Sequence, residues 1–204
     1  MKIFSRDNPW RLIYLGLILF LVIGYSLFFL AYFFSTPEWG KALMAYFAPI
    51  VKRLNNAARV SALTGGDPFP AQVVILYCAW GSIVLTIWNL YWGIFKSALR
   101  EAAIEKFHAL LTDKKHKCTR TKLVLYGLLM PVFLVFLGYV AFWSFSPDTT
   151  IDWREISFYS SRIGSVTFLF LSSLTLATTF FMFIGMAIAG MKRPSQKLLI
   201  KEKQ

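Results

Sequence analysis

Long apolar stretches, broken by shorter polar ones, set the rhythm of this chain. Four runs stand out, at about residues 10–34, 71–95, 123–145 and 164–190. Each exceeds the roughly 20 residues that an α-helix needs to cross about 30 Å of hydrocarbon. None holds Asp, Glu, Lys, Arg or His, apart from Arg11 at the start of the first. The runs are continuous rather than alternating, and barrel strands are shorter, which argues against a transmembrane barrel. The pattern predicts an all-α membrane protein, with four transmembrane helices in a single polytopic domain over residues 1–204.

The first run is longer than the roughly 7–15 apolar residues of a cleaved signal peptide, and it reads as a retained anchor. Asp7 or Asn8 can cap its helix, Pro9 suits the first turn, and Trp10 and Tyr14 suit the membrane interface. Between the first two runs, residues 38–63 carry Trp39, Leu43, Tyr46, Phe47, Ile50 and Leu54 at helical spacing. Lys41, Lys52 and Arg53 fall elsewhere on the wheel, which predicts an interfacial helix in the first outer loop. Pro49 should kink that helix or start a second piece. Gly65-Gly66-Asp67-Pro68-Phe69-Pro70 is a strong break before the second span. After it, residues 97–112, rich in Ala, Leu, Glu and Lys, read as a helical extension of that span.

Composition agrees with this picture. Hydrophobic residues reach 57 % and charged ones only 16 %, whereas soluble domains carry about 25 % charged residues. A soluble fold of this size would expose apolar patches well beyond the few hundred Å² that monomers tolerate.

The net charge of +12 changes the picture only through its distribution. Sixteen Lys and Arg fall in the N-terminal tail, the second loop and the C-terminal tail, against six in the first and third loops. The positive-inside rule then places both termini in the cytoplasm. Basic residues beside apolar runs also face anionic headgroups. No nucleic-acid motif accompanies them, so the charge reads as topology, with the lipid bilayer as partner and no nucleic acid. The lack of organelle signals points to a bacterial inner membrane. Cys78 lies in a span and Cys118 in a basic loop, which gives a thiol-redox role no basis.

Candidate chemistry is sparse. Proton and ion pathways need ionisable groups at membrane depth, and the span interiors hold none. This argues against a proton-coupled transporter or a charge-lined channel. On the fourth run Ser165, Ser172, Thr175 and Thr179 share a helical face, and Gly16 and Gly24 recur on the first. Small and hydroxylated residues mark helix–helix interfaces in membranes, so these are candidates for packing or partner binding. Asn89 is a candidate interhelical hydrogen-bond donor, and Pro131 a kink in the third span. Trp39 and Phe47 in the first outer loop, and Asp148, Asp152, Trp153 and Glu155 in the third, are candidate contact residues. His116 and Cys118 are too few for a metal site. No nucleophile elbow or phosphate loop is present. The expectation is a non-enzymatic protein without metal or cofactor.

Four uncharged helices, cytoplasmic ends and modest outer loops form a layout similar to a known family. With Thr36-Pro37 just after the first span and Tyr77-Cys78 within the second, the chain resembles the four-helix inner-membrane immunity proteins against pore-forming colicins of the colicin A type. The longer amphipathic first loop departs from that layout. The resemblance implies binding, within the membrane, to the helical pore domain of a toxin and blockage of channel opening. The alternative expectation is a structural or accessory subunit of a larger inner-membrane complex. A small transporter is a third reading, motivated by the hydroxyl row.

Overall fold

Asn8 opens the first helix. Its side-chain Oδ1 accepts the Trp10 N–H at 3.0 Å, as expected of a cap; Asp7, the other expected cap, lies outside the described residues. The structure is a computed structural model and describes residues 8, 10–34, 37–96, 100–102, 104–105, 119–139 and 163–191. It is 89 % helical, and the described residues form no strand. Among the described residues the helices follow in the order α1 (Arg11–Phe33), α2 (Glu38–Phe47), α3 (Arg53–Thr64), α4 (Phe69–Phe95), α5 (Arg120–Tyr139) and α6 (Ile163–Met191). Four of these, α1, α4, α5 and α6, are long and apolar enough to cross a membrane, as in a multi-pass integral membrane protein.

The polar segments place the breaks. Pro37, in extended conformation, precedes α2, whose first turn carries Glu38 where the helix dipole favours an acid. The helix ends two residues before Pro49, so the apolar periodicity over residues 38–63 resolves into α2 and α3 rather than one helix. Gly65 closes α3 with φ 68°, and its N–H donates to the Ser61 carbonyl. This left-handed C-cap is one that glycine adopts without a Cβ penalty. Asp67 Oδ1 then accepts the Phe69 N–H at 2.9 Å and starts α4, two residues before the expected position. The α4 terminus at Phe95 is as expected. Thr119 precedes α5, its Oγ1 3.4 Å from the Lys122 N–H. Pro131 lies inside α5. Residues 100–102 and 104–105 are helical; the rest of the expected extension over 97–112, and residues 140–145 of the third run, lie outside the described residues.

The chain divides into two compact units. A loop unit comprises Leu17–Leu85 and Phe136–Leu176, and a terminal unit comprises Met1–Gly16, Thr86–Val135 and Ala177–Gln204.

In the loop unit an aromatic cluster joins α1, α4 and α6. Phe20 lies 4.9 Å from Tyr77 and 6.2 Å from Phe170 between ring centres. Tyr25 meets Phe170 edge-on at 4.8 Å. Edge-to-face geometry of this kind is worth about 0.5–1.5 kcal/mol per pair beyond burial. Two glycines make room for it. A Cβ on Gly24 would come within 2.7 Å of Phe170 Cε1, and one on Gly81 within 2.8 Å of Phe20 Cε2. Helices α2 and α3 pack on the same unit through buried Met44, Val51, Leu54, Ala57 and Val60. Gln72 Nε2 donates to the Leu54 carbonyl at 3.1 Å and ties α3 to α4.

In the terminal unit tryptophan and glycine do similar work. Trp88 Nε1 donates to the Leu12 carbonyl at 2.9 Å. Trp10 meets Phe181 edge-on at 6.5 Å. Helices α5 and α6 approach closely at Gly127, where a Cβ would fall 2.5 Å from Ala187 N and 2.6 Å from the Phe183 carbonyl oxygen.

Candidate functional site

The residues that meet other helices occupy narrow stripes. On α1 the buried positions are Ile13, Gly16, Phe20, Gly24, Phe28 and Ala31. Their spacing of three or four residues traces one line along the helix. Gly16 and Gly24, singled out in the sequence, both lie on it. On α5 the buried positions are Leu123, Gly127, Pro131 and Gly138. Most of the rest of each helix is exposed, including Val22 and Leu30 on α1 and Leu129, Val132 and Phe136 on α5. These broad apolar faces are candidate surfaces for binding lipid or another helix.

The hydroxyl row on α6 divides. Ser165 is buried, Ser172 and Thr179 are half-buried, and Thr175 is exposed. The face of α6 that packs in the loop unit runs instead through Val166, Phe170 and Ser173. Thr175 sits two residues from Ser173, about 200° around the helix. Its hydroxyl donates to the Leu171 carbonyl of its own helix at 2.8 Å. Thr175, expected as a packing or partner-binding residue, thus lies on the exposed side of α6. A hydroxyl contact that sequence reasoning missed lies nearby. Thr167 Oγ1 donates to the Ile163 carbonyl at 2.8 Å, so in its 2.7 Å contact with Tyr25 the tyrosine O–H donates. Tyr77 OH likewise donates to the Phe20 carbonyl at 2.7 Å. Such contacts average about 0.6 kcal/mol in membranes. The signal for them was an aromatic hydroxyl inside an apolar run.

Asn89 is fully buried on α4. Neither of its amide atoms has a hydrogen-bond partner among the described residues, so the expected interhelical bond is not formed among them. Among the described residues no group of three or more His, Cys, Asp and Glu is gathered as a metal site would need.

In the first loop Trp39 is exposed and Phe47 half-buried. Lys41 Nζ donates to Glu38 Oε1 at 2.8 Å on the exposed side of α2. That hydrogen bond, with the charge of Glu38, raises the Lys41 amine above its ordinary value. The opposite side of α2 overhangs an apolar cleft of about 550 Å³ in the loop unit. Leu27 and Leu30 of α1, Leu43 and Met44 of α2, and Phe69 and Trp80 of α4 are among its walls. Gly40 lets α2 settle against α4, since a Cβ there would come within 2.8 Å of the Phe69 ring. Asp148, Asp152, Trp153 and Glu155 of the third loop lie outside the described residues, as does Thr36. Pro37 precedes α2, and Tyr77 and Cys78 lie in the packed face of α4. The chain matches no known protein family, no curated protein and no solved structure.

Proposed function

We propose that this chain is a non-enzymatic integral inner-membrane protein that acts by helix–helix binding, as an immunity protein against a pore-forming bacteriocin. The observation that carries the reading is the exposure of α1 and α5. Each long helix spends only a narrow stripe on its neighbours and leaves most of its apolar face open. Uncharged faces of this kind suit van der Waals packing against an inserted toxin hairpin. They do not suit a proton-coupled transporter or a charge-lined channel, which need ionisable groups at depth. In this reading both termini are cytoplasmic, and α2 and α3 lie at the outer interface.

The test is protection. Cells expressing the chain are challenged with a panel of helical pore-forming toxins while a potential-sensitive dye reports depolarisation. Protection from one member and not from the others is the expected result. Equal depolarisation by every member, with the protein present in the membrane, contradicts the immunity reading.

A second reading, an accessory subunit of a larger inner-membrane complex, is favoured by α5, the least buried of the four spans at 22 %. It predicts a stoichiometric partner after extraction in mild detergent.

A further inference from the structure

The cleft beneath α2 has dimensions and a lining that select one kind of occupant. Its wall on α1 runs from Leu27 to Phe34, about 10 Å along the axis at 1.5 Å per residue. Its wall on α4 runs from Phe69 to Trp80, about 16 Å. One leaflet of hydrocarbon is about 15 Å deep. The cleft thus begins at the helix ends, under the charged pair Glu38–Lys41, and reaches about one leaflet inward.

Water does not suit it. A buried water needs two to four polar partners, and the cleft walls are apolar side chains. Tyr77, the residue among them with a hydroxyl, commits it to the Phe20 carbonyl and presents its ring. Left unfilled, the walls forfeit their dispersion contacts.

We infer that the cleft holds one acyl chain of a membrane phospholipid, drawn from the leaflet on which α2 lies. The inference rests on the membrane placement of α1 and α4 and is independent of the immunity reading. The chain gains no hydrophobic transfer energy, because it leaves hydrocarbon for hydrocarbon. What retains it is shape: Gly40 holds α2 on Phe69, and leucine and tryptophan side chains of α1, α2 and α4 line the cleft along the chain. Occupancy therefore depends on chain length and packing.

The test uses the full-length protein in cells fed a fatty acid with a mid-chain diazirine, which is built into phospholipid. After photolysis, adducts are mapped by mass spectrometry. Expected are adducts at Met44, Val73 and Leu76, cleft residues that are buried or half-buried, several-fold above those at Leu129 and Val132, which face open lipid. Leu43→Trp, which fills the cleft, should remove the first set and leave the second. Adducts spread evenly over both sets in the wild-type protein overturn the inference, whatever the variant does. So does a protein crosslink at the cleft residues in place of lipid. Absence of adducts from every span overturns the membrane placement, and the inference with it.

Discussion

Gly127 and Gly164 are both helical glycines, and they make a matched pair. A Cβ on Gly127 meets the backbone of Ala187 and Phe183, whereas one on Gly164 meets nothing within 4 Å. Alanine gains about 1 kcal/mol of helix propensity at either site. At Gly127 it must also push two helix backbones apart, and overpacking of this sort costs about 1–3 kcal/mol. A backbone cannot rotate out of the way, so the second effect wins. Thermal unfolding in detergent should place Gly127→Ala below the wild-type midpoint and Gly164→Ala at or above it. Equal midpoints would mean that α5 and α6 do not cross at Gly127. That crossing was hard to read from sequence, because Gly127 sits between Tyr126 and Leu128 in a run that offers no periodic clue. Gly16 and Gly24 were legible, since they repeat at a spacing that keeps them on one face. The hydroxyl row spans buried Ser165 and exposed Thr175 because counting residues from Ser165 defines a broad sector of the helix. The packed edge of that sector is set by Phe170, whose bulk needs the notch at Gly24.

At the scale of elements, chain-breaking chemistry was the clearest guide. The four spans follow from hydropathy alone, and their ends follow from Asn8, Asp67 and Thr119 acting as caps. The division of residues 38–63 into α2 and α3 was foreseen only as one of two outcomes for Pro49. Proline forbids helix continuation but does not say whether the chain bends or stops. The cleft was not legible, because it arises from three elements meeting and no one of them carries a motif for it. The turn from α3 into α4 depends on Gly65 at φ 68°. An L-residue in that conformation costs about 1–2 kcal/mol. Gly65→Ala should therefore lower the unfolding midpoint although its side chain would point into open space. Gly65→Asn, a residue that tolerates left-handed caps, should lower it less. The reverse order would contradict the cap assignment.

For the whole molecule, the bias of sixteen basic residues against six predicts cytoplasmic termini, and a labelling experiment tests that directly. In a Cys118→Ser background, Leu63→Cys places a thiol at an exposed position of α3. A membrane-impermeant maleimide should label it in intact spheroplasts, while a cysteine at Lys2 should react only after lysis. The opposite pattern would invert the topology. The functional account then depends on what touches the open faces of α1 and α5. The most direct measurement is photo-crosslinking in native membranes from benzoylphenylalanine placed at Val22 of α1 and Val132 of α5, both more than half exposed. Helix–helix binding predicts a discrete protein adduct from at least one of these positions, formed only when the cognate toxin or partner is present. Adducts to lipid alone, from both positions and with every candidate toxin supplied, would contradict the account.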